Sequence, residues 1–499
     1  MWSEIGAVAG GIVAWEALRA LTIRALRRRW QRSIGDFLRR HSVQLEQFRF
    51  IDRVWVRQTL LQDPVIDRLA AERATERACP MIDVRAQIEE YLDEIVPYFN
   101  LFSYYKLGAA MARTAVGFCY ELVFDGPALE RARAAVPAGA VTVYVSNHRS
   151  NADYVVLSVG AMRQVALSYA VGEWARVWPL DALFRSFGSY FVRRGEKDPL
   201  YHRVLERYLQ LVASRGLTTA FFLEGALSRD GGLRQPKIGL LDYLVGILRE
   251  EPDRRIVFVP VGINFDRVLE DRNLLASAAG PPRLRQKLAS LAQILSRAPS
   301  LAASIFARAA LRAHRKYGYA AVSFGAPIPI EAAMPDAAAV ARLPPEERRP
   351  KIAALADHLL AEVAKVVPAT PVTLACRAID AGAGDVAAVR RHVRDELAAL
   401  RAAGRPVAEG RAWDGIHAAR RRREDSADKA SLDRDILEAE ESELTVDLAL
   451  RLLARRGVVR VADGRVVTTP GDEDVVRYYA RSLDPPRQSA VRREAAASG

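Results

Sequence analysis

At 499 residues the chain is long enough for two or three domains, and 50% hydrophobic with 27% charged residues is an ordinary globular balance. The formal net charge of +13 calls for an anionic partner: phospholipid headgroups, a phosphorylated substrate, a coenzyme or nucleic acid. Three widely spaced cysteines (Cys79, Cys119, Cys376) and seven scattered histidines suggest no disulfide framework, zinc knuckle or other metal site, and the compartment reads as reducing and cytoplasmic.

The N-terminus shows neither a cleavable signal peptide nor a run of 18 apolar residues. Ile5 to Trp15 is apolar, is interrupted by Glu16 and Arg19, and resumes from Ala20 to Ile23. Arg24, Arg27, Arg28, Arg29 and Arg32 follow. This segment, near 5–32, suits an interfacial anchor on an anionic membrane better than a spanning helix. A buried helix with a solvated cationic end fits it equally well. Residues 1–125 otherwise read as helical, with amphipathic spacing through Ile82, Ile88, Tyr91, Leu92, Ile95 and Val96 and again through Leu101, Tyr104, Leu107 and Met111.

Over 126–335 the pattern alternates between strand and helix. Apolar runs at Val141 to Val145, Tyr190 to Val192, Thr219 to Leu223, Ile256 to Ile263 and from Ala320 predict strands. Helices are predicted over Leu200 to Val212 and from near Pro236, the latter with Ile238, Leu241, Leu244, Ile247 and Leu248 on one side. The expected fold is α/β: a mixed, mainly parallel sheet flanked by helices.

Three polar clusters each follow an apolar strand. The first holds His148 and Asp153, five positions apart across a strand-to-helix corner. Loops at the C-terminal ends of such strands are where ligands sit. A histidine that takes a proton from an alcohol needs a carboxylate to orient its ring and stabilise the imidazolium. Ser150-x-x-Asp153 also matches a helix capping box, and on spacing alone that is the commoner explanation. The second cluster is Arg193 and Arg194. The third is Glu224, Gly225, Ser228 and Arg229, followed by Arg234 and Lys237. Each arginine alone reads as a surface ion pair or helix cap. Together, on one sheet edge, they make a phosphate-sized cationic pocket beside a His/Asp pair.

Residues 275–318 form an Ala-, Leu- and Arg-rich helical stretch with six arginines from Arg283 to Arg315, a solvated face or a membrane contact. Residues 336–499 read as mainly helical. Within them, Arg420 to Glu443 is a charged exposed helix or linker, and the region ends in a small winged-helix-like unit from Leu448 onward. The cations are dispersed along helices without an aromatic and basic constellation, which argues against nucleic-acid binding.

Four ordered motifs resemble the glycerol-3-phosphate acyltransferases of bacterial inner membranes and the related dihydroxyacetone phosphate acyltransferases. The resemblance spans about 85–330 and, weakly, Val475 to Ser482. Asn147 to Tyr154 is similar to the family's first block, which implies His148 as catalytic base and Asp153 as its partner. Trp178-Pro179 and Phe184-Arg185, leading to Gly188 through Arg194, resemble the second, whose final arginine helps hold glycerol phosphate. Phe222 to Arg229 with Pro236-Lys237 resembles the third, a substrate-binding block. Val257 to Ile263, with Pro260, resembles the fourth, on the acyl side of the site.

Ala226 and Leu227 depart from the third block, where the family has Gly or Thr and then Arg. The charge then comes from Arg229 or Arg234, or the acceptor has changed. The resemblance implies direct transfer from acyl-CoA or acyl carrier protein to the sn-1 hydroxyl of glycerol-3-phosphate. It implies no other cofactor and no metal, and a peripheral or N-terminally anchored place on the inner membrane with the site facing the cytoplasm. Lysophospholipid or dihydroxyacetone phosphate acylation, or a catalytically silent membrane scaffold, are the alternatives.

Overall fold

The computed structural model describes residues 53–97, 114, 116–161, 168–172, 189–193, 195–278, 317–411 and 432–486, without the side chains of 432–438. The apolar N-terminal stretch, Trp178, Pro179, Phe184, Arg185, Gly188, Arg194, the Arg283 to Arg315 run and Arg420 to Ser431 lie outside these residues.

Among the described residues the core is one sheet of eight strands: β1 (Glu121–Phe124), β2 (Val141–Ser146), β3 (Ser168–Gly172), β4 (Tyr190–Val192), β5 (Thr219–Phe222), β6 (Ile256–Phe265), β7 (Tyr319–Phe324) and β8 (Ile328–Pro329). Their order is β1-β7-β6-β2-β5-β3-β4, with β8 on β6. β2 runs parallel to β5 and β6, β3 to β5 and β4, and β1 to β7. β7 and β8 run antiparallel to β6, so the sheet is mixed and mainly parallel. Continuous apolar runs become strands buried on both faces, as parallel sheets require; all ten residues of β6 are buried.

Pro260 interrupts β6 without breaking it. Its carbonyl accepts from Gly325 N at 2.9 Å, so its missing N–H faces the same side. There it falls between the residues that pair with β8 (Val257, Phe258) and those that pair with β7 (Val261 to Phe265).

One sheet face packs on the helices Gly239–Val245 and Pro345–Val366, through Val143, Phe258, Leu241, Leu355 and Leu359. The other packs on the helices Pro371–Asp380, Leu432–Arg455 and Glu473–Ala480, through Tyr144, Ile263, Val322, Cys376, Val446 and Tyr479. The C-terminal helices thus share their core with the sheet. A third cluster joins the N-terminal helices, Arg53–Leu61 to Met81–Ile95, to the helix Pro199–Ser214. That last helix starts on Asp198, whose carboxylate accepts from Leu200 N at 2.9 Å with Pro199 in the first turn. The helix expected from Pro236 begins at Gly239 and tightens into a 3-10 turn over Gly246–Arg249. β9 (Val459–Ala462) and β10 (Arg465–Thr468) form an antiparallel hairpin between the last two long helices. Because β2, β5 and β4 point the same way, the loops carrying His148, Glu224 and Arg193 leave one edge of the sheet together.

Candidate active site

Asn147, the first residue beyond β2, fixes the loop's origin. Its side-chain amide donates to Ile263 O (2.9 Å) and accepts from Ile263 N (2.8 Å), extending the β2–β6 ladder with a side chain. His148 follows, fully buried, with Nδ1 2.8 Å from Asp153 Oδ2. A carboxylate only accepts, so Nδ1 carries a proton, which in the neutral tautomer leaves Nε2 as the acceptor. Nε2 has no hydrogen-bond partner among the described residues, and His148 lines a cavity of about 430 Å³.

The same Asp153 oxygen also accepts from Arg149 N (2.7 Å) and Ser150 N (3.1 Å). The backbone half of a capping box and the His–Asp pair are therefore one arrangement. The side-chain half differs: Ser150 Oγ donates to Glu270 Oε2 at 2.8 Å, and Glu270 Oε1 accepts from Asn151 N at 3.2 Å.

Glu224 is buried, and each of its oxygens accepts from a main-chain amide rather than from a guanidinium. Oε1 accepts from His148 N and Oε2 from Arg234 N, both at 2.8 Å. Burial pushes its carboxyl from the usual 4.5 to about 7, against the lowering pull of those two amides and of Arg149 and Arg234. Nor does it pair with Arg193. That guanidinium meets Glu94 (2.7 Å) and Glu196 (3.3 Å) and lies over the rings of Tyr91 and Tyr201. Its partner comes from a helix about a hundred residues earlier, which no local pattern announced.

The third cluster divides. Gly225 holds φ +63, where an added Cβ would crowd Lys237, and Lys237 lines the cavity. Ser228 faces inward: its Oγ donates to Gly232 O (2.6 Å) and its N–H to His148 O (3.0 Å), stitching the two loops together. Arg229 is exposed and, with Pro260, is absent from the described residues lining the cavity. Arg234 donates to the carbonyl of Leu227 at 3.0 Å. The cavity's described polar groups are His148, Arg193, His202, Lys237 and Tyr243, and its apolar wall includes Tyr154, Val171, Leu205, Phe222 and Leu240. Pro260, the residue expected on the acyl side, lies within β6 and packs against Gly325. Glu270, His202 and Tyr243 were not singled out from sequence, because nothing in their spacing distinguishes them from core or surface positions.

A buried histidine paired with a carboxylate beside a cavity, at a strand-to-helix corner, is an arrangement that group-transfer chemistry can use. Residues 131–264, which include His148 and the sheet edge it leaves, match the protein-family model described as Acyltransferase. Among curated proteins the chain is similar to two named glycerol-3-phosphate acyltransferase. One, from Aeromonas hydrophila, is 30% identical over 275 residues, covering 54% of this chain and 32% of the relative. The other, from Histophilus somni, is 33% identical over 217 residues, 42% of this chain and 26% of the relative. The chain thus spans about a third or less of the length of these relatives. A solved structure, the 1-acyl-sn-glycerophosphate acyltransferase of Thermotoga maritima, is 16% identical over 49% of this chain and 77% of its own, with a TM-score of 0.27, too slight a likeness to argue from.

Proposed function

We propose that this chain moves a fatty acyl group from an acyl thioester, acyl-CoA or acyl carrier protein, to the sn-1 hydroxyl of glycerol-3-phosphate. The single observation that carries the reading is His148: Nδ1–H on a buried carboxylate, Nε2 bare at the cavity. Nε2 takes the hydroxyl proton as the oxygen forms its bond to the thioester carbonyl. The C–S bond then breaks, and the imidazolium returns the proton to the leaving thiolate. Asp153 stabilises the imidazolium between those steps. Direct transfer needs no enzyme nucleophile.

Lys237 and Arg193 are the described cations lining the cavity; Arg193 already holds Glu94 and Glu196, so Lys237 is the one proposed to meet the acceptor phosphate directly. Arg194 and Arg229 are proposed to add to it. Glu224, Gly225 and Ser228 serve the site by shaping the loop around His148. Among the described residues no helix is long and apolar enough to cross a membrane. The location proposed from the sequence is peripheral, or anchored through residues 5–32, on the cytoplasmic side of the inner membrane.

The test is acylation of radiolabelled glycerol-3-phosphate by the purified protein with palmitoyl-CoA and membranes, alongside His148→Ala. Activity that disappears in the variant supports the reading; activity that survives removes His148 from it. A changed acceptor is the second reading, favoured by one observation: Arg234, one of the two substitutes for the missing arginine at 227, is tied to the Leu227 carbonyl. Turnover of dihydroxyacetone phosphate or a lysophospholipid, with none of glycerol-3-phosphate, would establish it. Silence with every acceptor would favour a scaffold.

A further inference from the structure

Two consecutive tyrosines from the far end of the chain reach the His148 loop by separate routes. Tyr478 and Tyr479 lie on the helix Glu473–Ala480, and both are fully buried. The Tyr478 ring lies under the Arg149 guanidinium, 4.9 Å from its centroid. Arg149 is itself buried and donates Nη1 to the Gly231 carbonyl, while its Nε and Nη2 find no partner among the described residues. The Tyr478 backbone closes the other side of this contact. Gly231 sits at φ +85, and a Cβ there would collide with the Tyr478 carbonyl. One helical turn away, Arg481 pairs with Asp230 at 3.3 Å.

Tyr479 takes the second route. Its hydroxyl donates to Asp271 Oδ2 (2.6 Å) and accepts from Val268 N (3.0 Å) and Arg456 Nη1 (3.1 Å). Arg456 also pairs with Asp271. Those bonds fix the segment on either side of Glu270, the residue that holds Ser150 Oγ and Asn151 N. The two routes converge on Arg149, Ser150 and Asn151. Arg149 N and Ser150 N donate to the same Asp153 oxygen that holds the His148 ring.

We infer that Tyr478 and Tyr479 are positioning residues that clamp the catalytic loop, with Arg149 and Glu270 as their intermediaries. The clamp keeps Asp153 Oδ2 seated on His148 Nδ1. The C-terminal helix thereby sets the turnover rate while touching no substrate. This rests on His148 being the base, so the test needs a readout of the loop as well as of activity.

Tyr478→Leu, Tyr478→Phe and His148→Ala are compared in the full chain, by steady-state kinetics and by hydrogen exchange of peptides covering 147–153. Tyr478→Leu is expected to lower kcat tenfold or more, to change KM for the acceptor less than threefold, and to raise exchange across the loop. Tyr478→Phe keeps the ring and removes only a hydroxyl without a partner among the described residues; it should restore both kcat and protection to within twofold. If Tyr478→Leu does not fold, Glu270→Gln tests the other route, with a severalfold loss of kcat and faster exchange at 150–151. A Tyr478→Leu protein, or in its place a Glu270→Gln protein, with kcat within twofold of the parent or with unchanged exchange overturns the clamp. Full activity in His148→Ala would overturn the base assignment, and exchange would then decide on its own whether the loop is clamped.

Discussion

Phe222 lies face to face with His148, their ring centroids 3.9 Å apart and their planes inclined by 10°. Tyr154 meets both rings edge-on, at 5.7 Å from His148 and 4.8 Å from Phe222. The imidazole is thus held flat against a π face, which attracts the ring when it becomes cationic. Phe222→Leu keeps most of the buried volume and removes that face. It is expected to lower kcat about tenfold while lowering the melting temperature only a few degrees. A kinetic assay paired with thermal melting checks it, and an unchanged kcat would mean the stack only packs.

Asp153 Oδ2 accepts three hydrogen bonds, and an asparagine must offer either one oxygen or an NH2 in that place. In Asp153→Asn the imidazole loses its orienting charge and can settle in the wrong tautomer. The expected loss is about a thousandfold in kcat or more, as for other His–Asp pairs. Circular dichroism should report an intact fold; a loss under tenfold would separate Asp153 from the chemistry.

Glu224 links activity to pH through stability. In the folded chain its carboxyl keeps the proton up to about 7, against the usual 4.5. Between those values the folded state binds more protons than the unfolded one, so stability falls as pH rises through the window. Glu224→Gln removes this slope, so its stability relative to the parent should improve from pH 5 to pH 8, by on the order of 2 kcal/mol. Urea titrations at several pH values measure it, and parallel curves for the two proteins would contradict it. Because each Glu224 oxygen holds one backbone amide, the substitution should also reduce kcat severalfold at every pH.

Asn147 offers the simplest stability test. Asn147→Ala leaves the N–H and C=O of Ile263 without their side-chain partners in a buried position. Two such groups cost about 2–4 kcal/mol together. Equilibrium unfolding in urea should show that loss, with activity falling alongside because the catalytic loop starts at this residue.

The parts of the fold that were legible in sequence are those where burial on both faces leaves a continuous apolar run. β2, β5 and β6 begin where Val141, Thr219 and Ile256 predicted them. β1 and β3 carry no such run: the four residues of β1 are only half-buried, and β3 begins at a serine and ends at a glycine. The reversal of β7 against β6 was not legible either, since strand direction depends on the route of the intervening chain rather than on side-chain pattern. At the site, His148 and Asp153 were readable because five residues bring them together. The partners of Glu224 and Arg193 were not, because main-chain amides carry no sequence signal and Glu94 comes from a distant helix. Arg229 and Lys237 looked alike as cations, and only the loop geometry turns one away and brings the other to the cavity.

The Tyr478 and Tyr479 contacts also set a schedule. During synthesis the strands around His148 emerge long before Glu473–Ala480, so the sheet can form while the brace is still unmade. Tyr478 and Tyr479 share one buried core with Tyr144, Ile263 and Val322, so that face of the sheet and the brace on the His148 loop are completed together, by the last part of the chain to be made. A premature stop before Glu473 would accordingly leave both the sheet face and the loop without their cover.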